Sequence, residues 1–231
     1  MKKDQQYQRT LWEIDQKWGQ GTVRPAAEVT RRPALSTGFE ALDHGLAAGG
    51  LALSHITLLR GVPTSGATTC AYQVIASGQR TAGFAAYIDL TANFDPESAH
   101  HCGVTLPHVL LLRSLSLEQG LAISRDILLA NAAMVLVIDL LGLVISPSIT
   151  AWERLADAAL RSDCATLVLI DRPYNALESI AHTYLSFERQ HWLLDQERVV
   201  GYHTDVHILK DKPRIQTARV SLDILFAGMS A

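Results

Sequence analysis

At 231 residues, 48% apolar and 19% charged, the chain can bury one α/β core of ordinary size with a small appendage. Its net charge of −3 gives no general preference for nucleic acid, although residues 1–33 hold seven Lys/Arg against four Asp/Glu and so form a basic leader. Cys70, Cys102 and Cys164 are odd in number and widely spaced, which argues against a disulfide framework and suits a reducing cytoplasm; no apolar run is long enough to span a membrane, and nothing at the N-terminus resembles a signal peptide.

In chain order, Tyr7, Leu11, Ile14 and Trp18 recur at spacings of four, three and four, which predicts a helix over residues 4–18 with one apolar stripe. Gly19-Gln-Gly21 ends it, and the basic, proline-containing stretch Thr22–Pro33 reads as a linker. The expected division is therefore a helix-and-linker arm over 1–33 and a core domain over 34–231. A helix this short is marginal alone, so its stripe needs a partner surface: its own domain, or a neighbouring copy or other protein. From Leu35 strands and helices alternate. Strands are expected at Ile56–Leu59, Gly83–Asp89, Val109–Leu112, Met134–Ile138 and Thr166–Ile170. Helices are expected at Thr68–Gln79, Pro96–His101, Leu117–Asn131 and Ala151–Ser162. Near-continuous apolar strands in a βαβ rhythm predict a mainly parallel sheet covered on both faces. The tail alternates at period two over Val199–Leu209 and Arg214–Phe226, an antiparallel hairpin turning at Lys210-Asp-Lys-Pro213.

The candidate chemistry lies at strand ends, where α/β sheets place their ligands. Gly61-Val-Pro-Thr-Ser-Gly-Ala-Thr-Thr69 has the frame of a phosphate-binding P-loop, with strand before and helix after. Gly61, Thr64, Ser65, Gly66, Ala67, Thr68 and Thr69 are its candidate nucleotide-binding positions. Alanine stands at 67 where the pattern wants lysine, while Thr68 keeps the hydroxyl that would hold magnesium. Met134-Val-Leu-Val-Ile-Asp139 has the shape of a Walker B strand whose carboxylate holds the metal through water, so Thr68 and Asp139 are the candidate magnesium residues. His100-His-Cys102 lacks the usual ligand spacing and reads as a helix end; His203 and His207 read as one strand face, and the four tryptophans as packing residues, with Trp12 and Trp18 equally open to a role as interface anchors.

An ordered set of segments resembles the bacterial RecA recombinase family over roughly residues 8–228. Leu11–Val23 is similar to the end of that family's polymerisation helix. Leu35-Ser-Thr-Gly-Phe-Glu-Ala-Leu-Asp43 and Leu46-Ala-Ala-Gly-Gly-Leu51 resemble the approach to its P-loop, and Asp89-Leu-Thr-Ala-Asn-Phe-Asp-Pro96 the stretch holding its catalytic glutamate. Val199-Val-Gly201 through Lys210-Asp-Lys212 to Leu225-Phe-Ala-Gly228 resembles the end of its core, and the family's separate C-terminal domain has no counterpart. The resemblance implies a RecA-like P-loop core and assembly through Tyr7, Leu11, Ile14 and Trp18. It further implies an adenine contact at Asp95, with Lys210 and Lys212 reaching a neighbouring subunit's nucleotide.

The departures run in one direction. Ala67 removes a charge-assisted phosphate contact of roughly 1.5–3 kcal/mol, about one to two decades of affinity. Thr91 stands for the catalytic glutamate, Ser98 for an adenine-stacking aromatic, Leu140 for a hydroxyl after the Walker B aspartate, and Asp171-Arg172 for a polar pair that senses the γ-phosphate. The expectation is a pseudo-ATPase with no catalytic residue, binding ATP and magnesium weakly. The two loops with which the family binds DNA correspond to Gly142–Ala151, short and apolar, and to the stretch from Arg172 into Ile180–Leu194, which lacks the family's glycine-rich run. Arg172, Arg189 and His191 are the DNA-binding candidates, and any single-strand binding should be weak and salt-dependent. The functional expectation is a DNA-repair or recombination accessory protein of the damage response, self-associating or joining a recombinase filament, with no membrane partner. The alternatives are a protein-interaction module without nucleotide or DNA, like the RecA-like subunit of the translesion mutasome or a SulA-type division inhibitor, and a slow DNA-dependent ATPase.

Overall fold

A computed structural model describes residues 2–19, 33–81, 83–113, 116–144, 148–212 and 217–226. The side chain of Trp18, nearly all of the expected linker, the middle of the Gly142–Ala151 gap, the hairpin turn at 213–216 and the end of the Leu225–Gly228 segment lie outside the described residues. The chain divides into two compact units, Met1–Arg32 and Pro33–Ala231.

In the first unit, α1 spans Lys2–Trp18. An Arg9–Glu13 ion pair at 3.0 Å bridges one turn of it, and the Gly19 N–H closes its end on the Asp15 carbonyl. Tyr7 and Trp12 are exposed, whereas Leu11 and Ile14 are half-buried.

The second unit is an α/β core on one eight-stranded sheet. Its elements are the short pair β1 (Ala34–Leu35) and β2 (Leu51–Ala52) with α2 (Glu40–Gly45) between them, then β3 (His55–Gly61), α3 (Ala67–Arg80), β4 (Ala85–Asp89) and α4 (Pro96–His101). Next come β5 (Val109–Leu112), α5 (Leu117–Leu129), β6 (Val135–Asp139), α6 (Ile149–Leu160), β7 (Ala165–Ile170), α7 (Asn175–Ile180), β8 (Thr183–Asp195), β9 (Arg198–Asp211) and β10 (Ala218–Leu225). The sheet runs β10-β9-β8-β3-β7-β6-β4-β5. Strands from β8 to β5 pair in parallel, and β8, β9 and β10 pair antiparallel.

The continuous apolar strands follow from burial on both faces. Along β6, Val135 and Val137 join one core cluster with Tyr72, Val74 and Ile75 of α3. Leu136 and Ile138 point the other way, into a cluster with Trp152 and Leu155 of α6 and Leu177 of α7. With both faces covered, apolar residues are favoured on each, so the period-two signal disappears. Trp152 is fully buried, as its reading as a packing residue anticipates.

One expectation is corrected. Ile180–Leu194 is not a loop: α7 ends at Ile180, and residues 183–195 form the long strand β8. Its first five residues are buried on both faces and its remainder is largely exposed, so no single alternation runs through it. The tail hairpin is therefore the outer part of a three-stranded antiparallel meander. Only twelve residues join β7 to β8, six of them in α7.

Candidate phosphate site

The loop from Gly61 to Thr69 leaves the carboxyl end of β3 and turns into α3. The Ser65 N–H donates to the Val62 carbonyl at 3.1 Å, and Thr64 adopts φ 65°. Gly66 is the N-cap of α3 at φ 102°, with no side chain to cap the helix. Gly66 sits at φ 102°, where a side chain is strained, and a β-carbon there would come within 2.6 Å of Ile224 Cδ1; one at Gly61 would come within 2.0 Å of Ser65 Oγ and could be admitted only if Ser65 shifted. A fourteen-residue helix that begins this way turns the N–H groups of its first turn, and the positive end of its dipole, toward an anion. Ala67 is buried at the start of that turn, and Thr68 and Thr69 are half-buried after it.

Strands β8 and β9 reach over the loop. Thr204 Oγ1 donates to the Ser65 carbonyl at 2.8 Å, Arg189 Nη1 donates to Thr64 Oγ1 at 2.7 Å, and the Tyr202 and Thr69 hydroxyls lie 3.4 Å apart. A cavity of about 320 Å³ is lined by Arg60, Gly61, Thr64, Asp171, Glu188 and Arg189.

The acidic side of the site is filled differently. Asp89 and Asp139 sit in register at the ends of β4 and β6, both buried. Asp139 accepts the Tyr87 hydroxyl at 2.7 Å on Oδ2 and the Leu141 N–H at 2.9 Å on Oδ1. Burial raises the Asp139 carboxyl above the ordinary range, partly offset by those two donors. Burial, reinforced by the charge of Asp139, drives the Tyr87 phenol far upward, so it stays protonated and keeps donating. Tyr87, Tyr72 and Phe94 pack ring against ring around this point, with the Tyr72 phenol pushed up to about 12 chiefly by burial. Asp89 accepts the N–H groups of Asn93 at 2.9 Å and Phe94 at 3.3 Å, and Arg113 approaches it at 3.6 Å.

The remaining candidates disperse. The Thr91 hydroxyl accepts Asn93 Nδ2 at 2.6 Å, and Leu140 is buried in the core. Asp95 caps α4, accepting Ser98 Oγ at 2.6 Å and the Glu97 N–H at 3.0 Å; the Ser98 bond is the main reason its carboxyl lies below the ordinary range. Lys210 donates to the Glu178 and Ser179 carbonyls at 2.6 and 3.2 Å, near the end of α7, and burial lowers its ammonium. Lys212 is exposed, its backbone N–H on the His182 carbonyl. Arg172 pairs with its neighbour Asp171 at 2.9 Å, His191 stacks on His203 at 5.0 Å, and Arg189 lies over the Trp192 ring at 4.3 Å. Of the three proposed DNA contacts, Arg189 alone is brought to the loop. Sequence reasoning missed Tyr87, whose one signal was a phenol inside an apolar strand. It also missed Arg60, a charge ending an apolar strand, and Tyr202 and Thr204, which share one face of β9.

Comparison with known proteins converges on one family. Residues 5–158 match the family model for the RecA N-terminal domain. The chain is 29% identical to Protein RecA of Frankia alni, across 98% of this chain and 75% of that protein. It is 30% identical to Protein RecA of Frankia casuarinae, across 94% and 73%. Protein RecA of Chloroflexus aurantiacus is 36% identical over a shorter stretch, 56% of this chain and 38% of that protein.

Proposed function

The chain belongs to the RecA family, and from that membership we propose that it is a DNA-repair or recombination accessory protein that holds nucleotide without turning it over. The observation that carries this reading is the state of Asp139. A Walker B carboxylate works by holding magnesium through water, and it needs an open oxygen to do so. Here the carboxylate is buried and each of its oxygens already accepts one donor, a protonated tyrosine and a backbone N–H, which leaves fewer lone pairs and no exposed surface for a metal-bound water. Thr91, in place of a catalytic glutamate, is a poor base at neutral pH and is already bonded to Asn93. The phosphate loop, by contrast, keeps its turn, its glycines and the start of α3. These features support binding through backbone N–H groups, with ATP and magnesium as weak or structural ligands.

Assembly through α1 is part of the same reading, because Tyr7 and Trp12 are large exposed side chains on a helix, and helices in proteins gain most of their stability from packing. A filament of this chain, or one mixed with an active recombinase, would use that surface. Weak binding of single-stranded DNA fits the short connections after β6 and β7.

The test is ATP binding and hydrolysis by the full chain, with and without single-stranded DNA, beside Ala67→Lys. Binding without measurable turnover is expected in the unaltered protein, and tighter binding without turnover in Ala67→Lys. Turnover like that of an active recombinase would sink the reading, and failure to bind any nucleotide would favour the pure protein-interaction module instead.

A further inference from the structure

Ala67 leaves the loop without its own cation, yet two guanidinium groups stand at its mouth. Arg189 comes from β8 and donates to Thr64 Oγ1 at 2.7 Å, two residues before the N-cap of α3. Its guanidinium is steadied from the other side by the Trp192 ring at 4.3 Å. Arg60, the penultimate residue of β3, donates through Nε and Nη2 to Ser186 Oγ at 3.1 and 2.8 Å, which fixes it across the parallel β3–β8 pair. Both line the cavity of about 320 Å³ that Gly61 and Thr64 also border. Of the acids there, Asp171 is offset by Arg172 at 2.9 Å and accepts the Gly142 N–H, and Glu188 lies 3.5 Å from the His207 ring. A separate observation marks the loop as built for a ligand. Ser65 Oγ is buried, lies where a side chain on Gly61 would be, and has no hydrogen-bond partner among the described residues.

We propose that Arg189, in the same chain, replaces the missing loop lysine as the cation for the terminal phosphate of a bound nucleoside triphosphate, with Arg60 as a second positive charge behind it. Release of Thr64 frees the guanidinium to take a phosphate oxygen, a charge-assisted contact that its planar fork suits better than an ammonium would. The contact would favour triphosphate over diphosphate, because Arg189 meets the loop at Thr64 rather than at the first turn of α3, whose N–H groups would hold the inner phosphates. This inference rests on the retained-nucleotide reading above.

Titration calorimetry of the full chain with Mg-ATP and Mg-ADP tests it. The unaltered protein should bind ATP more tightly than ADP. Arg189→Ala should weaken ATP by about ten- to a hundredfold and leave ADP within about twofold, with Arg189→Lys between. Circular dichroism and melting check that each variant folds. If Arg189→Ala does not fold, Trp192 emission in the unaltered protein, identified by difference from Trp192→Phe, still decides: an ATP-specific change is expected as the guanidinium leaves the ring. ATP affinity untouched in Arg189→Ala, equal losses for both nucleotides, or bound ATP with no change in Trp192 emission would overturn the role of Arg189 while the binding reading stands. No binding of either nucleotide would overturn both.

Discussion

The two halves of the candidate site are built from different material. The loop Gly61–Thr69 is a backbone object: its shape comes from two glycines, one turn and the start of a helix, and its binding capacity from N–H groups that every residue but proline carries. The acidic half around Asp89 and Asp139 is a side-chain object, in which every function depends on which atoms are present and which are already bonded. The first half holds its turn and its helix start with alanine at 67. In the second, Tyr87 and the Leu141 N–H occupy Asp139, and Asn93 occupies Thr91.

The largest expected effect comes from breaking the backbone half. Gly66→Ala places a side chain at φ 102° and 2.6 Å from Ile224 Cδ1, which should cost about 1–3 kcal/mol in strain alone and abolish nucleotide binding. Chemical denaturation and calorimetry would check it, and wild-type affinity in a folded variant would show that the loop does not depend on its glycine. An intermediate effect comes from the side-chain half. Tyr87→Phe leaves Oδ2 of a buried carboxylate without its donor and should destabilise by about 1–3 kcal/mol, while magnesium-dependent ATP binding stays equal or improves. A loss of binding with stability unchanged would make Tyr87 a ligand contact rather than a plug. The smallest effect is a pH signature. The folded-state pKa of Asp139 is raised, so between the unfolded carboxylate value of about 4 and the folded one the native state holds a proton that the unfolded chain has lost. That group therefore lowers stability as pH rises through the window. Denaturation of wild type and Asp139→Asn across pH 4–7 should give a difference with that slope, and a difference of opposite sign would mean that the carboxylate is stabilised as an anion.

What was legible in the sequence follows the same division. The P-loop frame, the helix after it and the strand ending in Asp139 were readable because glycine spacing and apolar runs determine backbone directly. Pro96–His101 and Val109–Leu112 were readable to the residue, since an Asp-Pro pair opens the first and a four-residue apolar run defines the second. Strand β8 was not, because its buried half and exposed half follow different patterns and neither is long. The contacts of Arg189 with Thr64 and of Thr204 with Ser65 were equally invisible. They join residues more than a hundred positions apart, and nothing local in a sequence encodes such a meeting.

The place of β3 in the sheet has a consequence for how the chain is made. Its neighbours are β7 and β8, so Thr57 waits for Thr183 before it is paired on that side. At a synthesis rate of about 5–20 residues per second, that wait is of the order of ten seconds. Until then Leu58 and Leu59, both fully buried in the finished protein, have only β7 as a strand neighbour. The strand that carries the loop therefore gains its second neighbour only when the chain has been made as far as β8.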